Sequence, residues 1–306
     1  MPIIAPGRAD HPQLSVVIAS VNGPAYLDAC LGALYQQRGD VRAEVIVAGS
    51  CDGDVRRMVA QRYPEVQVIS FDKRLTIPEL RAVGIARTSG DLVSITEDHC
   101  LPPPDWFERI VEAHRAPYVA IGGAVENAAT QRLTDWAVFL CEYHRHISPV
   151  PGGVTGDIPG PNVTYKRAAL PVIQDLLDAG RWENFLHARL QEAGFELYSD
   201  PSIVIYHRKF FGLGEFLQQR FHYGRSFAGM RVHHAPAWRR LMFGVGSVVL
   251  PPLLIGRIAR HLFRRRRHRL IFLKTLPLLA LFTLSWTAGE CIGYLTGQGD
   301  SLAKVE

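Results

Sequence analysis

The sequence predicts an α/β fold: a mixed, mostly parallel sheet with helices on both faces, and membrane-associated helices at the C-terminal end. Three observations lead there. Short β-branched runs alternate with amphipathic stretches from Leu14 to Thr96, the pattern of a parallel sheet. Polar residues follow these runs, at the strand ends where open α/β sheets bind ligands. Two long apolar stretches lie near the end of the chain, Leu241–Ile255 and Leu276–Leu295.

Leu14–Ala19 (LSVVIA) is a short β-branched apolar run and reads as a buried strand, ended by Asn22-Gly23. Ala25–Gln37 carries Leu27, Cys30, Leu31 and Leu34 at helical spacing. Glu44–Ala48 is a second strand, ending in a turn at Gly49–Gly53, and Val55–Tyr63 is a helix. Val66–Phe71, Ile77–Thr88 and Leu92–Thr96 continue as strand, helix and strand. Trp106–His114 is helical, and beyond it the pattern loosens. The Gly/Pro-rich segment 152–160 reads as a mobile loop, 168–177 and 182–193 as helices, and Ile203–Tyr206 as a short strand.

With 306 residues, the chain has room for one large domain and an appendage. The five cysteines form no CxxC pair, which suits a reducing compartment. The first residues show no basic start followed by an apolar run, so no secretory signal is expected. The net charge of +5 is unevenly spread: from His207 to Arg269 there are fourteen Arg or Lys and one acid, Glu215. Basic residues beside apolar runs point to anionic lipid. Nucleic acid, the rival partner of a basic patch, is not expected, because no nucleic-acid motif accompanies the charges.

The strongest chemical signal is Glu97-Asp98-His99, directly after the fourth strand. Two acids and an imidazole beside a ligand crevice are suited to a divalent cation that would neutralise a diphosphate leaving group. A solvated turn capped by Asp105 is the plainer alternative.

Together LSVVIASVNG, AEVIVAGSCDGD and LRAVGIARTSGDLVSITEDHCLPPPDW resemble the family 2 glycosyltransferases, which have the GT-A nucleotide-diphospho-sugar transferase fold; the resemblance runs over roughly residues 13–230. It implies that Glu97-Asp98-His99 stands at the family's DxD-type motif, with Glu97 toward the ribose and Asp98 and His99 near Mn2+ or Mg2+. Imidazole suits Mn2+ better. An arrangement with Asp98 alone on the metal and His99 turned away stays open. By the same resemblance Ala19, Ser20 and Asn22 line the base and ribose, and Arg81 lies near the nucleotide. The aspartates usual after the second strand are replaced by Ala48-Gly49-Ser50, leaving Asp52 as the substitute.

Arg181–Gly194 resembles the family's base helix, and matching on Arg189-Leu190 and Gly194 places Glu183 at the base position. An inverting transfer needs such a carboxylate to deprotonate the acceptor hydroxyl. A helix start also favours an acid there. Trp182 is a candidate for stacking on sugar or acceptor, and Asn162, in the preceding loop, would touch donor sugar or acceptor. Arg220 and Arg225 are candidates for a diphosphate or lipid phosphate, with snorkelling at an interface as the alternative.

The expected layout is a tail at 1–12, a GT-A catalytic domain at 13–206, a basic amphipathic interfacial segment at 207–240, and membrane-associated helices at 241–306. Within the last, 241–256 is expected to be re-entrant or interfacial because Pro251-Pro252 interrupts it, 257–269 a basic loop, and 276–295 one span. Two crossings would place Arg264–Arg267 outside, against the positive-inside tendency, so the tight two-helix hairpin ranks second. The expected activity is inverting transfer from a nucleotide sugar, a UDP-sugar foremost, to a lipid or glycan acceptor, with the catalytic domain on the cytoplasmic face. The alternatives are a catalytically inactive nucleotide-sugar-binding module and a nucleotidyltransferase.

Overall fold

The computed structural model describes residues 11–51 and 53–305. Asp52 and nearly all of the expected N-terminal tail lie outside the described residues. The chain forms two compact units, one of residues up to Glu126 with His146–Arg208, the other of Asn127–Arg145 with residues from Lys209 onward.

The first unit is built on a mixed sheet. Its strands are β1 (Leu14–Ser20), β2 (Ala43–Gly49), β3 (Gln67–Ser70), β4 (Leu92–Glu97), β5 (Cys100–Leu101), β6 (Ala120–Asn127), β7 (Gly153–Thr155), β8 (Val163–Lys166) and β9 (Leu197–His207). Their order is β3-β2-β1-β4-β8-β6-β9-β5, with β7 on β9. The pairs among β3, β2, β1 and β4 are parallel. β8 then runs antiparallel to β4 and to β6. Every residue of β1 and β2 is buried, in keeping with the largely apolar runs seen in the sequence.

The helices of this unit are α1 (Pro24–Leu34), α2 (Gly53–Arg62), α3 (Ile77–Ile85), α4 (Trp106–Ala113), α6 (Leu170–Asp178) and α7 (Glu183–Glu192); α5 (Leu133–Tyr143) belongs to the second unit. A reciprocal cap between Thr76 and Glu79 starts α3. Gly49 explains the departure at Ala48-Gly49-Ser50: a Cβ there would run into the Ser20 carbonyl, where the ends of β1 and β2 converge.

Several elements differ from expectation. The loop expected at 152–160 contains β7, paired antiparallel with β9. The short strand expected at 203–206 is the end of an eleven-residue strand. β6 and α5 fill the region after α4 that showed no clear period.

The second unit is helical: α5, α8 (Leu213–Arg231), α9 (Ala237–Gly246), α10 (Leu250–Arg265) and α11 (Arg269–Thr296). Only the 3-10 turn Ser247–Val249 separates α9 from α10. The expected break at Pro251-Pro252 is corrected: both prolines sit in the first turn of α10, where backbone N–H groups need no intrahelical acceptor. The basic loop expected at 257–269 is corrected too, being helical through Arg265. Ala237–Arg265 and Arg269–Thr296 are each long and apolar enough to cross a membrane.

Arg220 is buried in this unit. It lies over the rings of Phe216, Tyr223 and Trp286 and 3.8 Å from Glu142. The expected role at a lipid phosphate is therefore corrected for Arg220, whose guanidinium is enclosed by aromatic faces and an acid. Arg225 is half-buried and donates from Nε to the Gly297 carbonyl.

Candidate active site

β4 ends at Glu97, and Asp98 and His99 form the turn that follows it. Asp98 is fully buried. Its Oδ2 accepts hydrogen bonds from the Val21 and Asn22 backbone N–H groups at 2.9 and 2.8 Å and from the Ser20 hydroxyl at 3.2 Å. Its Oδ1 accepts from Asn22 Nδ2 at 2.6 Å. Asp98 therefore braces the turn after β1, with both of its oxygens accepting hydrogen bonds from that turn. Ser20 and Asn22 are engaged in holding Asp98, and Ala19 is buried in β1.

Glu97 and His99 meet on the other side. His99 Nε2 lies 3.0 Å from Glu97 Oε2 and 2.9 Å from Nε2 of His207. Its Nδ1 lies 3.1 Å from Asp98 Oδ1 and from Asn22 Nδ2. Burial opposes a charge on His99, but its bonds to Asp98 and Glu97 raise its pKa to about 9. Burial also pushes the Glu97 carboxyl up, yet His99, Arg81 and His207 outweigh it and hold Glu97 well below the usual carboxylate range. The Glu97 carboxylate and the His99 imidazole stand side by side, with His207 against the imidazole, and offer oxygen and nitrogen donors suited to a divalent cation. Cys100 Sγ completes a group with Glu97 and His99 whose ligand atoms lie within 4.8 Å of one another. Burial raises this thiol well above its ordinary pKa, which leaves the oxygen and nitrogen donors as the better ligands.

His207 escaped the sequence reading. It arrives because β5, immediately after His99, pairs antiparallel with the end of β9, placing Cys100 opposite His207. The signal was available: His207 is the polar residue after the apolar run Ile203–Tyr206.

Arg81 projects from α3 and is buried. Its Nη2 bonds Glu97 Oε1 at 2.8 Å, and its Nη1 pairs with Glu183 at the first turn of α7. One guanidinium therefore ties the proposed cation ligand to the expected base. The Glu183 carboxylate lies over Gly160, where an added Cβ would come within 2.9 Å of it. Glycine at 160 leaves the room that Glu183 occupies.

Two expected contacts are corrected. Asn162 is buried; it accepts from Trp106 Nε1 at 3.0 Å and donates to the Ala124 and Ile203 carbonyls. It ties β6, β9 and α4 together, and its amide is engaged inside the protein. Trp182 is 3% exposed, so its ring packs inside and offers no face for stacking.

Comparison with known proteins agrees with this picture. The model of "Glycosyl transferase family 2" matches residues 15–173, just over half of the chain. A validoxylamine A glucosyltransferase of Streptomyces hygroscopicus subsp. jinggangensis (strain 5008) is 30% identical over 118 residues, 37% of this chain. The chain spans only 28% of that relative's length. Among solved structures, a mannosyltransferase of Pyrobaculum calidifontis in complex with GDP-Man and Mn2+ superimposes with a TM-score of 0.52 at 16% identity, over 96% of this chain and 88% of its own. Residues 1–349 of S. aureus TarS give 0.50 at 12% identity, over 92% and 90%. The structural likenesses show a shared fold, and the family match places the chain itself: it belongs to glycosyltransferase family 2.

Proposed function

We propose that this chain transfers a sugar from a nucleotide-sugar donor, a UDP-sugar foremost, to a lipid-linked or polysaccharide acceptor with inversion at the anomeric carbon. The observation that carries this reading is the bridge from Glu97 through Arg81 to Glu183, which sets a carboxylate base beside the candidate cation ligands at the sheet's carboxyl edge. Glu97, His99 and His207 are the residues that would hold a divalent cation, and Asp98 positions them from behind. Such a cation, when bound, offsets the charge on a departing diphosphate. Glu183 takes the proton from the acceptor hydroxyl. The acceptor oxygen forms its bond to the anomeric carbon as the bond from that carbon to the donor phosphate breaks, and the nucleoside diphosphate leaves. Arg81 fixes the direction of Glu183 toward that proton.

The donor ions of the structural relative, GDP-Man and Mn2+, are in keeping with this reading. The second unit, with its apolar helices and arginines, attaches the enzyme to a membrane, and the catalytic unit works on the cytoplasmic face, where nucleotide sugars are made. Purified full-length chain is expected to release nucleotide from one of the UDP-, GDP- or dTDP-sugars only with Mn2+ or Mg2+ present. Glu183→Gln should lower transfer by at least about a hundredfold while donor affinity stays within a few-fold. Near-normal transfer by that variant would remove Glu183 from the mechanism.

A further inference from the structure

The helices of the second unit present much apolar surface outward. Trp238, Val245, Val248 and Leu270 are each at least two-thirds exposed, and Leu241, Val249, Leu273 and Leu284 also stand open. These residues run along α9, the 3-10 turn after it and α11, and form a surface that asks for a partner. Basic residues bracket it. Arg257, Arg260, Arg264 and Arg269 are exposed around the turn between α10 and α11. At the other end of α11, exposed Arg231 and Arg239 lie over Phe243, which packs on Tyr294. Apolar surface with guanidinium groups at both ends matches acyl chains bordered by anionic phosphates.

The packing of α11 decides how that surface meets a bilayer. At about 1.5 Å per residue its 28 residues reach roughly 42 Å, more than a ~30 Å hydrocarbon core. Its inner side, however, is taken by other helices. Ser285 donates to the Leu217 carbonyl, Gly289 lies on the Phe221 carbonyl, Gly293 on the Arg225 carbonyl, and His222 bonds Ser301. α8 and the second half of α11 therefore run side by side in the same direction, closely enough that Gly224, Gly289 and Gly293 leave no space for a Cβ. α8 brings exposed Glu215, Gln218 and Arg231 and buried Arg220. α5, which also packs on α11, brings Glu142 beside that arginine. If α11 crossed the bilayer, this charged helix would have to enter the hydrocarbon with it.

We infer that the α9–α11 helices lie in the plane of one leaflet and that none crosses, in place of the single span expected at 276–295. This rests on the membrane attachment proposed above. The outward apolar residues sit among the acyl chains, and the arginines at both ends of α11 contact phosphates of the same leaflet.

The arginine-rich turn is its own probe, because trypsin cuts after arginine. The full chain with a C-terminal epitope tag is expressed, and sealed membrane vesicles of both orientations are treated with trypsin. The expected result is cutting within Arg264–Arg269 and loss of the tag through cutting at exposed Lys304, both from only the orientation in which the catalytic unit is also digested. Cleavage at the turn, or loss of the tag, from the face where the catalytic unit stays intact would overturn in-plane seating. Recovery of the chain in the soluble fraction, with none on membranes, would instead overturn membrane attachment itself. Purified chain should bind phosphatidylcholine vesicles at least tenfold more tightly when they contain phosphatidylglycerol, less so at high salt. Equal binding to both would overturn the contact between arginines and phosphates.

Discussion

The prediction that most directly tests the site's architecture concerns Asp98. If this residue braces the turn after β1, Asp98→Asn should destabilise the catalytic unit in the complete absence of metal. An amide has one oxygen where the carboxylate has two. Whichever way it is placed, its NH2 group confronts either the Val21 and Asn22 backbone N–H groups or the Asn22 side-chain donor. The amide takes the less costly placement, with its oxygen toward the two backbone N–H groups, and the one buried donor left unsatisfied costs about 1–3 kcal/mol. For a unit of this size that lowers the melting temperature by about 5 °C. Burial pushes the Asp98 carboxyl up, but bonds from His99 and Asn22 outweigh it and hold its pKa below the ordinary value. Its stabilisation is therefore complete above the unfolded carboxylate's pKa and is lost as pH falls through the folded one. The assay is thermal melting by circular dichroism in EDTA, followed by Mn2+ titration of the same samples. A variant that melts within about 2 °C of the parent yet no longer binds Mn2+ would refute the brace and return Asp98 to the metal.

Three further substitutions probe neighbouring parts. Gly160→Ala displaces only the flexible end of Glu183, so kcat should fall on the order of 10–100-fold with melting unchanged; normal kcat would mean that the position of Glu183 is not critical. His207→Ala removes one of the two facing imidazoles, and the Mn2+ concentration for half-maximal nucleotide release should rise at least about tenfold; an unchanged metal dependence would exclude His207 as a ligand. His114 is buried, and burial, aided by Lys166, lowers its pKa to about 4. Between the ordinary pKa of 6.5 and that value the unfolded chain binds the extra proton, so stability falls as pH drops through this window, by about 3 kcal/mol in all. Denaturant unfolding at pH 7 and pH 4 should show that loss for the parent and a smaller one for His114→Gln.

The parallel half of the sheet was legible because β1, β2 and β4 are buried and largely apolar. β6 and α5 were not: Ala120–Asn127 contains Gly122-Gly123, where a Cβ would strike Ile158 or the Ile203 carbonyl, and such close packing suppresses the apolar signature of a strand. At the site, Glu97-Asp98-His99 was found as a cluster, but composition does not say which side each residue faces. Asn162 and Trp182 misled for a related reason: a polar or aromatic residue in a loop beside the site can equally be a tie between core strands. The weight placed on Pro251-Pro252 ignored that a helix may begin there.

The guanidinium of Arg81 has a consequence for how this enzyme can diversify. The groups proposed to bind donor and to activate acceptor share one salt-bridged post, so they keep a fixed spacing whatever surrounds them. New acceptors can then be accommodated by reshaping loops such as 152–160, without retuning the distance between the two halves of the reaction. A replacement at position 81 would disturb both halves at once, and no single compensating change at either carboxylate would restore the pair.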